Sequence, residues 1–568
     1  MTRKEFMTID GMPVEINGEK NLLELIRKVG IKMPTFCYHS ELSIYGACRM
    51  CMVEVEKGGM EAACSTPPKA GMVIRTNTER LRKYRKNILE LLLANHCRDC
   101  TTCGNNGKCK LQDLAMRFNI TGVRFPNTAA EPEIDASSLS ITRDAHKCIL
   151  CGDCVRMCNE VQNVGAIDFA HRGSRMTIST AFDGPIASSP CVGCGQCAAV
   201  CPTGAIVVRN NVREVWKALD NRENKVSVQI APAVRVAIGK ELGGDDGENA
   251  MGRIVAALRR MGFAEIYDTS TGADLTVLEE SNELLRRLES GEQRYPLFTS
   301  CCPAWVQFCE KKYPELLPHV STCRSPMQMF AAVIKEQAQY ASSRKAIHVA
   351  VMPCTAKKFE ADRAEFRVDD IPNVDYVLTT QELIQMIKES GLIFRDLQPE
   401  AIDMPFGTMT GAGVIFGVSG GVTEAVLRRI ASDKSSSALM TISYQGVRGM
   451  EGVKEAVVPF GERELRIAMV SGLKNASDLI ERIKAGEHYD FVEVMACPGG
   501  CVAGAGQPFA HNDEKQKRGE GLYAADRLCG IKRSEENPLM MSLYNGLLKG
   551  RVHEMLHVDY VKGDHAHD

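Results

Sequence analysis

Three cysteine-bearing stretches hold most of the chemistry that can be read in the second half of the chain: TSCCPAW at 299–305, MPCTAKKFE at 352–360 and EVMACPGGC at 493–501. Each follows a short apolar, β-prone run (PLF, AIHVAVM and FVEVM in turn), which places each thiol where a buried strand ends. In open α/β sheets that edge is where ligands bind. Four thiols meeting there suit a soft metal, held either as an iron-sulfur cluster or as zinc.

The three stretches resemble the TSCCPxW, MPCxxKxxE and ExMxCxxGC signatures of FeFe-hydrogenases, in the same order. The resemblance implies a 4Fe-4S cluster joined through one cysteine to a di-iron unit bearing carbon monoxide, cyanide and a dithiolate bridge, together an H-cluster. Its implied ligands are Cys302, Cys354, Cys497 and Cys501, with Cys501 as the bridge. It also implies a proton relay of Cys301, Glu280, Ser321 and Glu283, a cyanide-facing Lys357, and a pocket lined by Pro232, Met352, Met495 and Phe416. Glu280 and Glu283 stand at i and i+3 and share one helical face, which on a helix is ordinarily a solvated one. Where the commonest clostridial pattern has serine, serine and glutamine, this chain has Ala233, Ala356 and Met327, each expected to remove a polar contact around the active cluster.

Four further cysteine patterns precede these. Cys37, Cys48, Cys51 and Cys64 resemble a plant-type 2Fe-2S module with a long first gap; structural zinc is the alternative. His96, Cys100, Cys103 and Cys109 form His-x3-Cys-x2-Cys-x5-Cys, a pattern shared by these hydrogenases and the electron-input subunit of respiratory complex I, where it binds a 4Fe-4S cluster. Cys97 is the rival to His96 for that position. Two bacterial-ferredoxin runs follow, Cys148, Cys151, Cys154, Cys158 and Cys191, Cys194, Cys197, Cys201. In such pairs the fourth cysteine of each run ligates the other cluster, so one 4Fe-4S takes Cys148, Cys151, Cys154 and Cys201 and the other takes Cys191, Cys194, Cys197 and Cys158. The proton/hydrogen couple falls ~59 mV per pH unit to about -0.41 V at pH 7, close to the roughly -400 mV of plant-type ferredoxins, so such clusters exchange electrons with hydrogen at little loss.

The elements that position these residues follow from periodicity. MTID-GM-PVEIN reads as a hairpin turning at Asp10-Gly11, and NLLELIRKVG as an amphipathic helix stopped by Gly30. Residues 80–96 read as a helix with a basic front. From Val226, strand-like and helical runs alternate as in an α/β fold with several parallel strands, ending in a helical tail. The expected class is multidomain, α+β and α/β: a β-grasp 2Fe-2S domain at 1–80, a 4Fe-4S domain with one histidine and three cysteine ligands at 81–122, a linker at 123–142, a two-cluster ferredoxin-like domain at 143–210, and a catalytic domain with a helical tail at 211–568. The tail's His553-Glu-Met-Leu-His557 matches H-E-x-x-H formally, and GAGVIFGVSGG at 411–421 departs from the dinucleotide spacing, so it reads as a turn packed near the cluster.

Composition bounds the partners. Lys+Arg of 69 against Asp+Glu of 71 gives no reason to expect nucleic acid or an anionic membrane. The 24 cysteines fall in C-x-x-C clusters of a long chain, which argues for metal over disulfides, and no apolar run approaches ~18 residues. The expectation is a cytoplasmic hydrogenase with one 2Fe-2S cluster, three accessory 4Fe-4S clusters and an H-cluster, served by ferredoxin or flavodoxin and by maturation proteins. Two rivals share parts of the pattern: an electron-transfer subunit of an NADH-linked complex, and a non-catalytic relative that keeps the fold.

Overall fold

The computed structural model describes residues 4–56, 58–127, 134–290, 296–341, 344–431 and 447–561. The chain divides into two compact units. The first comprises Met1–Val161, Gly165–Ser189 and Gln196–Val207, and the second comprises Gln162–Val164, Pro190–Gly195 and Val208–Asp568.

In the first unit the hairpin forms as its turn dictates. Strands Glu5–Ile9 and Met12–Ile16 pair antiparallel, with Asp10 at φ 49° and Gly11 at φ 87° making the tight reversal. They belong to a five-stranded mixed sheet in the order Met12–Ile16, Glu5–Ile9, Val73–Arg75, Met52–Val55, Gly59–Ala62. Helix Leu22–Lys28 is capped by the Asn21 side chain and buries Leu22, Leu23, Leu25 and Ile26 in the core of this unit. Helix Glu79–Ala94 starts on Thr78, whose hydroxyl accepts the Leu81 amide, and it leads directly to His96. The middle of the expected linker, 128–133, lies outside the described residues; the parts on either side carry only a bridge between Asp135 and Arg143 and the start of strand Ile141–Arg143.

Among its described residues the second unit contains two four-stranded sheets. In the first, Glu265–Asp268, Asn224–Ile230, Lys345–Met352 and Tyr376–Thr379 are all parallel. In the second, Leu297–Phe298, Phe491–Met495 and Arg463–Ser471 are parallel, and Val453–Phe460 closes the edge antiparallel. That last strand is absent from the sequence reading. It alternates buried and exposed along its length and turns at Gly461, φ 61°, so the signal was present. Helix Asn512–Leu528 was missed for a better reason. It is highly polar and carries Gly519 and Gly521 in its interior, yet a Cβ at Gly521 would stand 2.1 Å from the Gly247 carbonyl oxygen, so close packing demands what helix propensity disfavours.

The helical tail consists of two short helices, Pro538–Asn545 and Val552–Leu556, separated around Gly546 and Gly550. The 411–421 stretch holds helix Gly411–Val414, a 3-10 turn at Ile415–Gly417 and the start of helix Gly421–Ile430. Among the described residues no helix is long and apolar enough to cross a membrane.

Candidate functional site

The first cysteine of each loop stands two or three residues beyond the strands ending at Phe298, Met352 and Met495, so the thiols emerge at the carboxyl ends of buried strands. Cys302, Cys354, Cys497 and Cys501 all line a single cavity of ≈ 90 Å³, together with Cys301, Lys357, Pro232, Met352, Met495 and Phe416. The other residues of the three motifs explain themselves through packing. Trp305 donates its indole N–H to the Thr299 carbonyl, 3.1 Å, closing the first loop. Glu360 accepts from Lys357 Nζ at 2.8 Å and aims it. Glu493 accepts the amides of Gly420 and Thr423, 2.6 and 2.8 Å, and so holds the N-terminus of the helix that follows Phe416. Gly500 sits at φ 87°, and a Cβ there would be 2.6 Å from the Ser419 amide nitrogen, so only glycine lets the third loop approach the 411–421 backbone.

The cavity fits a metal cluster on its own donor set. Cys301 and the four other thiols line it with no carboxylate or imidazole among the lining residues, and the Ala496 amide points at Cys302 Sγ, 3.4 Å. Burial pushes Cys501 well up, and the neighbouring Cys354, Cys497 and Cys302 push it further, a repulsion that a bound cation relieves. Lys357 gives one donor to Glu360 and one to the Cys301 carbonyl, 3.2 Å; burial opposes its charge, but Glu360 and the thiols hold its pKa above the usual lysine value.

Ala233 and Met327 line the cavity as expected, with Gln507 Nε2 donating to the Ala233 carbonyl at 2.9 Å. Ala356 does not; it is fully buried in the apolar cluster around Trp305 and Phe308, so its methyl bears on packing and not on the cavity wall.

Beyond Cys301, Glu280 and Glu283, the glutamates expected of a relay, are both buried on helix Ser270–Ser290, against the solvated face that such spacing ordinarily signals. Neither Glu280 oxygen has a hydrogen-bond partner, and burial, with Glu283 and Glu493 nearby, pushes its pKa up to about 8. Ser321 Oγ donates to Glu283 Oε2 at 2.8 Å, and Arg287 donates to Oε1 at 2.5 Å. Sequence reasoning passed over Thr322, Arg287 and Glu279, which extend this network; single polar residues beside a motif carry no spacing signal.

In the first unit, Cys148, Cys151, Cys154 and Cys201 line one small cavity, the crossed set expected of paired ferredoxin runs, and burial pushes the Cys148 thiol up to about 11. Its sulfur accepts the Leu150 amide, 3.4 Å. Cys158 and Cys197 belong to this unit, and Cys191 and Cys194 to the second. His96, Cys100 and Cys109 line a further cavity of ≈ 430 Å³. His96 Nδ1 lies 3.1 Å from the Arg98 amide, and its buried Nε2 has no protein partner; as a metal ligand Nε2 requires the ring proton on Nδ1, with the Arg98 contact given up. Cys103 Sγ accepts the Asn105 amide, 3.4 Å. Cys97 stands 3.7 Å from His96 Nδ1, on the side already engaged. Cys37 and Cys48 interact thiol to thiol, as do Cys51 and Cys64, and Cys48 acts on both members of the second pair.

Residues 224–505 match the family described as iron only hydrogenase large subunit, C-terminal domain, and residues 512–563 match iron hydrogenase small subunit. A 2Fe-2S iron-sulfur cluster binding domain matches 6–79, an NADH-ubiquinone oxidoreductase-G iron-sulfur binding region 85–124, and a 4Fe-4S dicluster domain 147–205. The chain is 42% identical to NADP-reducing hydrogenase subunit HndD of Solidesulfovibrio fructosivorans, covering 98% of each. It is 35% identical to Iron hydrogenase 1 of Clostridium pasteurianum, covering 98% of this chain and 99% of that one. A solved structure of an FeFe-hydrogenase variant from Chlamydomonas reinhardtii is 38% identical with a TM-score of 0.53, covering 62% of this chain and 100% of its own. These matches carry iron-sulfur clusters and an H-cluster with them. Likeness along nearly the whole length of two hydrogenases, with four thiols gathered on one cavity beyond strands of both sheets, makes this chain a member of the iron-only, or FeFe-, hydrogenase family.

Proposed function

We propose that this FeFe-hydrogenase holds its active cluster on Cys302, Cys354, Cys497 and Cys501, with Cys501 bridging to the di-iron unit. One 2Fe-2S cluster sits on Cys37, Cys48, Cys51 and Cys64, and three 4Fe-4S clusters sit on the His96, Cys148 and Cys191 sets. The observation that carries the reading is the convergence of four thiols from three distant loops on one cavity. The clusters, when bound, supply the electrons and the metal site at which protons and hydrogen interconvert.

The chain's own residues do the rest. Met352, Met495, Phe416 and Pro232 exclude water from the cavity. Lys357 spends two of its three donors on Glu360 and the Cys301 carbonyl and offers the third to an anionic ligand such as cyanide. Cys301, Glu280, Ser321 and Glu283 pass protons between the cavity and the outside: Cys301 lines the cavity, Glu280 acts on it electrostatically, and Ser321 is bonded to Glu283.

Ferredoxin or flavodoxin is the proposed electron partner, entering through the N-terminal clusters, in the cytoplasm. A second reading is favoured by the 42% identity to a subunit of an NADP-reducing hydrogenase: the same chain passing electrons to a nicotinamide-reducing partner subunit. Hydrogen-driven reduction of ferredoxin by the purified chain, set beside reduction of NADP by the chain isolated together with any subunit that co-purifies with it, separates the two.

The test of the active-cluster assignment is infrared spectroscopy on anaerobically matured protein. Iron-bound carbon monoxide and cyanide bands are expected in the wild type and lost in Cys501→Ser; their persistence there removes Cys501 from the ligand set. Cys301→Ala is expected to keep the bands while turnover falls by about 10²–10⁴.

A further inference from the structure

The hydrogen-bond network does not stop at Glu283. Glu283 Oε2 also accepts from Thr322, through the backbone amide at 3.1 Å and the hydroxyl at 3.3 Å. That hydroxyl is 2.9 Å from His557 Nδ1, and His557 Nε2 is 3.0 Å from Glu279 Oε2. The other Glu279 oxygen is bonded to the Tyr544 hydroxyl. Glu279 and His557 then line an open cavity of ≈ 500 Å³ at the surface, with Asn282, Arg286, Glu289 and His553. His553 is exposed, and its ring stacks on His557 with centroids 5.2 Å apart. Two of these residues are the histidines of the H-E-x-x-H match in the tail, a motif the catalytic reading leaves unused.

We propose that His557 is the outer proton-transfer residue of this enzyme, joining Glu283 through Thr322 to a solvent-filled mouth formed by Glu279 and His553. The inference rests on the proton path proposed above and extends it by three residues. Going inward, a proton from the mouth binds His557 Nε2. The Nδ1–H bond then breaks as a new bond forms to Thr322 Oγ1, whose own proton moves to Glu283 Oε2; every bond broken is matched by one formed, and no electron moves. The outward direction reverses these steps.

The geometry is specific to such a role. Both ring nitrogens of His557 face a proton-exchanging partner, and the ring is held in place by the backbone. Arg324 and Leu556 bond amide to carbonyl at 2.8 Å, as do Val558 and Thr322 at 2.7 Å. The charged groups facing the ring come from three elements. Helix Ser270–Ser290 contributes Glu279, Glu283 and Arg286, the tail contributes His553, and Arg324 adds its guanidinium, which donates to the His557 carbonyl at 2.9 Å. Burial acts against the Glu279 charge, but His557 and Tyr544 hold its pKa below the usual glutamate value, so an anion stands at the mouth to attract protons.

A structural staple would show the same contacts, so the test reads transfer and not stability alone. On matured full-length enzyme, His557→Gln and Thr322→Val are expected to lower hydrogen evolution by about tenfold or more, short of the 10²–10⁴ of a group at the reacting atom. His557→Gly is expected to regain turnover with added imidazole, which the adjoining cavity admits. The cluster-free protein labelled with 15N in its histidine rings gives a readout independent of turnover: Thr322→Val shifts the His557 Nδ1 signal and leaves Nε2 in place. Full turnover in both His557→Gln and Thr322→Val, with Cys301→Ala inactive, overturns the outer station and leaves the inner path standing. A loss in His557→Gln alone, without imidazole rescue, reduces His557 to a staple and also overturns it. An active Cys301→Ala removes the inner path itself.

Discussion

Glu280 sits in the protein interior with both carboxyl oxygens unbonded, and its pKa is pushed up to about 8 by burial first and by Glu283 and Glu493 second. A neutral carboxyl with no fixed partner can turn to take or give a proton, which suits a relay station between a thiol and Ser321. The shift also has a consequence for stability. The folded protein keeps this proton up to about pH 8, whereas the unfolded chain releases it near 4.5. Between those values the folded state binds more protons, so the Glu280 contribution is fully present below about 4.5 and is lost as pH rises toward 8. Unfolding the cluster-free protein in urea is therefore expected to show Glu280→Gln gaining on the wild type as pH rises from 5 to 8, by up to about 1.4 kcal/mol per pH unit. A difference that stays flat across that range would falsify the raised pKa. At this scale motif spacing marked the cysteines and Lys357 in the sequence, and the structure brings Cys302, Cys354, Cys497, Cys501 and Lys357 to one cavity. The sequence did not carry the burial of Glu280 or the displacement of Ala356 from the cavity wall, since neither depends on local sequence.

Each signature motif also fixes an element by its non-cysteine members. Glu493 lies on the strand Phe491–Met495 and accepts the Gly420 and Thr423 amides, with the Thr423 hydroxyl adding a third bond at 2.9 Å. A carboxylate there answers both the unpaired amides and the positive end of helix Gly421–Ile430, and so fixes the backbone that presents Phe416 and Gly417 to the cavity. Glu493→Gln keeps the size but turns an NH2 group toward donors. The expected result is a loss of about 1–3 kcal/mol in the cluster-free protein, read as a lower urea midpoint. It should come with weaker carbon monoxide and cyanide bands after maturation, because the 411–421 segment loses its anchor. An unchanged midpoint would mean the helix is held by packing alone. Elements with strong periodicity, such as the Asp10-Gly11 hairpin and the parallel strands, were legible in advance. The split into two sheets was not, because pairing partners are chosen by tertiary packing and leave no mark within a strand.

Across the whole chain the cysteine sets divide the work between electron entry and chemistry. Cys148, Cys151, Cys154 and Cys201 share one cavity in the first unit, while Cys302, Cys354, Cys497 and Cys501 share another in the second. If the first set serves only as a conduit, removing it should leave the second competent. Cys148→Ser with Cys154→Ser takes two of four ligands from one accessory cluster, and neither residue contributes to the cavity of the active cluster. The matured variant is expected to keep its carbon monoxide and cyanide bands and to evolve hydrogen from a small reduced dye that reaches the active cluster directly. Evolution driven by reduced ferredoxin should be lost on the proposed route, in which that donor enters at the N-terminal clusters and its electrons cross the damaged one. Equal rates with the two donors would show that ferredoxin docks near the active cluster and bypasses the first unit. Loss of both, with the bands intact, would show that the accessory cluster tunes the chemistry as well as feeding it.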